Sequence, residues 1–184
     1  MIRKLLCSFM SKLNSTDYTV LFELIRNSKI SDRKLASKLG VSQPTITRRR
    51  ARLESKGLID YMVVPNFEKF GIEIIAFTFA SWKPETRREY KKKQDSKEMI
   101  KRHDRFLSSH ANIIFEAGGR GFGNGAGGVF MSLHRNYTEY SDFLKDLEIA
   151  WGEYITRINS FVVSTRSGQI RRHFTFKYLK DYIK

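Results

Sequence analysis

Cysteine is nearly absent from this chain: Cys7 is the single thiol in 184 residues, so no internal disulfide can form, which fits a reducing cytoplasm. No apolar run approaches the roughly 18 residues of a spanning helix, which removes an integral membrane protein. Acidic residues are scarce. Asp plus Glu number 19 against 34 Lys plus Arg, giving a net charge of +15, so a polyanion is the expected partner, with nucleic acid first. Histidine is also rare. His103, His110, His134 and His173 are scattered, and none stands at metal-ligand spacing with another His, Cys or carboxylate, so neither a metal nor a cofactor is expected. G-x-S-x-G, a Cys–His pairing and a P-loop are all missing, which argues against an enzyme. Apolar residues are not lacking: at 41% hydrophobic the chain can bury a core.

The basic charge is uneven. Residues 1–66 hold 13 basic and 5 acidic side chains, residues 83–105 hold 10 and 5, and the tail from Thr165 to Lys184 holds 6 and 1. Residues 106–164 hold 4 basic and 6 acidic side chains, and so read as part of a different domain. The opening MIRKLLCSFMSKL sets Ile2, Leu5, Leu6, Phe9, Met10 and Leu13 at helical spacing. It has no continuous apolar region and no small-residue cleavage site, so it is read as a helix docking on the protein or on a dimer mate, ahead of a membrane anchor.

Helix signals then follow closely. Ser15 or Thr16 is placed to cap a helix to about Arg26, with Tyr18, Leu21, Phe22 and Ile25 as its inward stripe. Ser31 caps DRKLASKL, which Gly40 stops, and Ser42 with Pro44 starts a third helix almost at once. This is helix-turn-helix spacing. The third helix runs QPTITRRRARLESK to Gly57, and LIDYMVVP beyond it alternates like the short strand pair of a wing. With Ile46 and Leu53 inward, steps of about 100° per residue put Thr47, Arg48, Ala51, Arg52 and Ser55 outward and Arg49 and Arg50 on the flanks. A solvated face ordinarily interleaves acids with its bases, and here four arginines precede the first acid, Glu54. The pattern suits a helix whose N-terminus enters the major groove of double-stranded DNA, with Ser42, Gln43, Pro44, Thr45, Thr47 and Arg48 at the bases and Arg49, Arg50 and Arg52 chiefly on phosphate.

Leu13 to Phe77 resembles the winged helix-turn-helix and linker of the leucine-responsive/asparagine-operon regulators, the Lrp/AsnC family of bacteria and archaea. The residues that carry the likeness are D-x-x-V-L from Asp17, I-S-x-x-x-L-A from Ile30 to Ala36, S-x-x-T-I-x-R-R from Ser42 to Arg49, and L-E-x-x-G-L-I from Leu53 to Ile59. The family usually has an apolar residue where this chain has Arg50. The resemblance implies an α+β protein: a DNA-binding domain over 1–66, then over 67–184 a ferredoxin-like βαββαβ domain that dimerises and takes a small-molecule effector. The remaining pattern agrees. Ile72–Trp82, Asn112–Ala117, Val129–His134 and Ile158–Thr165 read as strands, and Pro84 to about Ser109 reads as a helix. A further helix carries Tyr140, Phe143, Leu144, Leu147, Trp151 and Tyr154 on one face, and QIRRHFTFKYLKDYIK is expected to add a basic strand or helix.

Between the second and third strands lies GGRGFGNGAGG, Gly118 to Gly128. GNGAGG fits the dinucleotide pattern, but two strands flank it and no helix N-terminus follows, so it reads as a hairpin loop. The resemblance places an effector nearby, yet the short acidic turn usual in the family is replaced by glycines with Arg120, Phe122 and Asn124. A mobile structural loop is the first reading of this run, and Gly118, Gly119, Arg120, Gly121, Phe122 and Asn124 are otherwise candidates for contact with an anionic ligand or with nucleic acid. The expected function is a sequence-specific, cytoplasmic and nucleoid-associated transcriptional regulator acting as a homodimer or an assembly of dimers. An architectural DNA-coating protein and an enzyme like the haem-precursor decarboxylases of similar two-domain fold are the alternatives.

Overall fold

A computed structural model describes residues 13–85, 97–121, 125–172 and 174–179. They fall into two compact units, one running to Val64 together with the segment from Arg172, the other spanning Pro65–Arg171. The expected N-terminal helix over residues 1–12 lies outside the described residues.

The first unit is three helices: α1 (Ser15–Arg26), α2 (Asp32–Leu39) and α3 (Gln43–Ser55). The cap of α1 is Asn14, one residue before the expected Ser15 or Thr16. Its side-chain oxygen accepts from the Asp17 amide at 2.9 Å while the Asp17 carboxylate accepts from the Asn14 amide at 3.1 Å, a reciprocal pair that neither hydroxyl could form with an acid three positions on. Ser31 caps α2 as expected, accepting from the Lys34 amide, and Gly40 ends it in the left-handed region at φ 66°. Val20, Leu24, Leu35, Ala36, Ile46 and Leu53 form the core, flanked by Leu13, Leu21, Ile30, Leu39, Val41, Leu58 and Ile59. The inward face of α1 is thus Asp17, Val20 and Leu24, and the expected stripe of Tyr18, Leu21, Phe22 and Ile25 is only half-buried.

The expected wing strands do not form. Residues 58–66 contain no strand, and Met62 and Val63 are 76% and 89% exposed. Alternating apolar residues need a hydrogen-bonded neighbour to become a strand, and this segment has none within the described chain.

The second unit contains β1 (Ile74–Trp82), α4 (described over Lys97–Ser109), β2 (Ile113–Gly121), β3 (Gly125–His134), α5 (Tyr137–Trp151) and β4 (Ile155–Ser164). Residues 86–96, within the expected helix from Pro84, lie outside the described residues. The strands make one antiparallel sheet in the order β2-β3-β1-β4, the ferredoxin-like arrangement. Ala80, Phe106, Phe130, Phe143, Leu147, Trp151 and Ile155 pack between the sheet and its helices. Alternation then sends Phe77 of β1, Met131 of β3, Phe115 of β2 and Phe161 of β4 to the opposite face, where Phe77 pairs with Met131 and Phe161 and Met131 pairs with Phe115. Phe161 is 65% exposed there, and Phe115 is exposed as well.

The glycine run is mostly strand, contrary to its expected reading as a hairpin loop over Gly118–Gly128. The β2–β3 ladder continues through Gly118–Gly128, Gly119–Gly127, Arg120–Ala126 and Gly121–Gly125, which confines the connection to residues 122–124. At least one glycine is required: a Cβ on Gly127 would fall 2.2 Å from the carbonyl oxygen of Ala80, so β1 and β3 approach where no side chain fits. The tail also departs from expectation. Over 165–172 and 174–179 it makes turns and neither a strand nor a full helix, with Arg172 and Lys177 over the Tyr178 ring.

Candidate nucleic-acid interface

The third helix is presented by two apolar anchors. Ile46 and Leu53, fully buried and seven residues apart, bind α3 to α1 and α2 and leave its other side to solvent. At its N-terminus Ser42 occupies the cap position with extended backbone but makes no capping bond; its hydroxyl is 2.9 Å from that of Thr45. Pro44 has no amide proton and the Thr45 amide donates to the Ser42 carbonyl at 3.1 Å, so of the first turn the Gln43 amide keeps its capacity to donate to an anion. Gln43, Pro44, Thr47, Arg48, Ala51, Arg52 and Ser55 are exposed, and Thr45 is intermediate.

The arginines divide into two kinds. Arg49 donates through Nη1 to the Asp17 carboxylate at 2.5 Å and to the Asn14 side chain at 2.9 Å. Arg50 donates through Nη2 to the Ile30 carbonyl at 2.8 Å and through Nη1 to the Tyr61 hydroxyl at 3.1 Å, and its Nε forms an ion pair with Asp32 at 2.8 Å without an aligned hydrogen bond. These two guanidiniums join α3 to α1, α2 and the segment that follows. The Arg50 side chain is 18% exposed, and its head turns to protein acceptors. Arg52 sits 3.5 Å from Asp17 and remains exposed, while Arg48 is exposed with no hydrogen bond or ion pair among the described residues.

Asp17 is the fully buried acid at the centre of this arrangement. Burial pushes its carboxyl up, but the Asn14 amide and the guanidiniums of Arg49 and Arg52 together outweigh burial and hold it below the usual carboxylate range. Asp32 has a comparable position, between Arg50 and the Thr47 hydroxyl, which donates to its Oδ2 at 2.7 Å. Asp17 was noted in the sequence only as the start of the D-x-x-V-L motif, and Asp32 was not singled out. The signal was present in the length of the arginine run, since four guanidiniums in five helical positions cannot all face one way.

In the second unit the candidate contact residues Gly118, Gly119, Arg120 and Gly121 lie on the distal part of β2, and Phe122 and Asn124 lie outside the described residues. His103 meets Glu116 at 2.7 Å, His110 meets Asp146 at 3.2 Å, and His134, 1% exposed, is hydrogen-bonded to Ser132 at 2.8 Å and Asn112 at 3.3 Å. Among the described residues no three His, Cys, Asp or Glu side chains converge as a metal site would require. No described helix is long and apolar enough to cross a membrane.

Residues 13–60 match the family model for winged helix-turn-helix DNA-binding. An uncharacterised HTH-type transcriptional regulator of Pyrococcus furiosus is 38% identical over 66 residues, which are 35% of this chain and 45% of that protein. A second from the same organism is 31% identical over 75 residues, 40% of this chain and 50% of that protein, so the chain spans about half the length of the curated relatives it matches. Solved structures extend the likeness over nearly the whole chain. An AsnC family transcriptional regulator from Agrobacterium tumefaciens superposes with a TM-score of 0.69 at 18% identity, covering 94% of this chain and 100% of that one. LrpC of Bacillus subtilis gives 0.60 at 23% identity, covering 83% and 94%. A transcriptional regulator from Neisseria meningitidis, in complex with L-methionine, gives 0.68 at 16% identity, covering 89% and 95%. The first unit is accordingly a winged helix-turn-helix DNA-binding unit. The two units together have the fold of the Lrp/AsnC regulators, as the sequence resemblance implied.

Proposed function

We propose that the chain is a sequence-specific transcriptional regulator of the cytoplasm that sets the N-terminal half of α3 into the major groove of double-stranded DNA. The observation that carries this is the composition of the outward face of α3: small polar groups at an uncapped helix start, followed by Arg48 and Arg52 on the same side, with the other two arginines turned inward. Ser42, Gln43, Pro44, Thr45, Thr47 and Arg48 then face bases and Arg52 a phosphate. Arg49 and Arg50 act through the helix they hold. The test is selection of duplexes from a randomised pool by the full chain, followed by titration in increasing salt. The expected result is a defined motif, with Arg48→Ala and Arg52→Ala weakening binding; equal affinity for all duplexes would favour a DNA-coating role.

The open face of the sheet supports a homodimer formed through the second unit. Phe115 and Phe161 are exposed beside Phe77 and Met131, an apolar face larger than isolated surface residues would make. A small-molecule effector is part of the same reading, supported by the methionine complex of the Neisseria neighbour. Arg120, on a glycine-lined ribbon, is the proposed contact for an anionic group.

A further inference from the structure

We infer that Asp32, on the helix before the groove-facing one, sets the base that Thr47 reads, by holding Thr47 as a hydrogen-bond acceptor with a methyl group and so favouring an A·T pair. The inference rests on the DNA-binding reading above. A threonine hydroxyl has one proton and two lone pairs. The Thr47 Oγ1 lies 2.7 Å from Asp32 Oδ2 and 3.2 Å from the Gln43 carbonyl oxygen. Both acceptors belong to the protein, and the nearer, charged one takes the proton. Asp32 is itself held, because its other oxygen is 2.8 Å from Arg50 Nε and Arg50 is fixed in turn by the Ile30 carbonyl and the Tyr61 hydroxyl. The exposed Thr47 can therefore offer the groove a lone pair and its methyl group, and no donor.

In the major groove an A·T pair shows the adenine N6 amine and the thymine methyl, both suited to these two groups. Guanine shows only acceptors at N7 and O6, which an acceptor repels; cytosine shows an amine but no methyl. One well-made contact of this kind corresponds to roughly five- to 150-fold discrimination. The tie explains why an acidic side chain is tolerated so near a phosphate-facing surface: Arg50 neutralises it from behind while its polarity reaches DNA through Thr47.

The test is duplex selection by the full chain and three variants, with competition between the selected site and its single base-pair changes, and a melting temperature for each protein. Wild type should prefer A·T at one position by roughly five- to 150-fold. Thr47→Val keeps the methyl and loses the acceptor, so the preference should shrink. Thr47→Ser keeps the acceptor and loses the methyl, so it should take adenine and cytosine alike at that position. Asp32→Asn can donate its amide to Thr47 and free the hydroxyl proton to turn between the Gln43 carbonyl and the groove, so the A·T preference should weaken and guanine should gain. A folded Asp32→Asn protein that selects A·T as strongly as wild type would overturn the inference; if that variant melts, retained A·T preference in Thr47→Ser would overturn it equally. Sequence-indifferent binding by wild type would overturn this inference and leave DNA binding standing, whereas no binding to any duplex would overturn both.

Discussion

Replacing Asp17 by alanine should unfold the DNA-binding unit more readily than any ordinary exchange of a polar residue. Asp17 is fully buried and its two oxygens accept from the Asn14 amide at 3.1 Å and from Arg49 Nη1 at 2.5 Å, with Arg52 at 3.5 Å. Alanine leaves the Arg49 guanidinium without its countercharge, and breaking a buried pair from one side costs about 3–5 kcal/mol when the remaining charge cannot reach water. The Arg49 side chain is 23% exposed and can partly rehydrate, which lowers that figure, while loss of half the capping box adds about 1 kcal/mol. The net expectation is about 2–4 kcal/mol, or a fall of about 10–25 °C in the midpoint of a unit this small. Hydrogen exchange of the α1–α3 amides in the full chain reads it directly, as lost protection confined to the first unit. The double variant with Arg49→Met should recover part of the loss, because the orphaned charge has gone. The pH dependence has a definite sign. The folded carboxyl lies below its unfolded value, so its contribution is complete above about pH 4 and is lost as pH falls through the folded value. An Asp17→Ala protein within about 0.5 kcal/mol of wild type would show that Arg49 is held by packing alone.

Gly127→Ala should distort the β1–β3 ladder, since its Cβ would sit 2.2 Å from a backbone oxygen, and a cost of about 1–3 kcal/mol in urea unfolding is expected; an unchanged midpoint would show that β1 gives way freely. Burial lowers the His134 pKa, partly opposed by Glu139, so the unfolded chain binds the proton more readily and stability should decline as pH drops below about 6.5; His134→Gln should flatten that slope in urea titrations at pH 7.5 and 5.5. Phe161→Glu on the open sheet face should convert a dimer to a monomer in light scattering without lowering the midpoint of the first unit, and a wild-type monomer at micromolar concentration would count against the dimer.

What could be read from the sequence depended on whether the signal was local. The helix ends at Ser31, Gly40 and Ser42 are set by residues adjacent to them, and all three lie where spacing put them. The same holds for the four strands, whose alternation is a property of a few neighbouring residues, and for the buried positions Tyr140, Phe143, Leu147 and Trp151 of α5. The expected stripe of α1 followed its apolar residues, whereas the buried face includes Asp17, whose countercharge, Arg49, lies 32 residues away. The wing was expected from alternation alone, yet strand pairing needs a partner that residues 58–66 do not find. The glycine ribbon was misplaced for the converse reason. Glycine has a low strand preference, but here β3 continues because β1 comes so close that a side chain at residue 127 would collide.

The candidate interface shows the limit of counting charge. Four arginines at positions 48, 49, 50 and 52 look like one phosphate-gripping cluster, yet successive residues of a helix are separated by about 100° and such a run must wrap around it. Two face solvent, and the other two meet Asp17 and Asp32, two of the five acids in residues 1–66. Those acids do not merely reduce the positive field. Each is placed where it fixes an arginine against a neighbouring helix, so α3 is held at both flanks by charge as well as by the Ile46 and Leu53 anchors. A groove-facing helix must be rigid to discriminate between bases, because an error in position costs the geometry of every contact at once. On the proposed DNA-binding reading the inward arginines act on specificity through the helix they hold, and replacing Arg50 should blur base preference more than it lowers affinity for unrelated DNA.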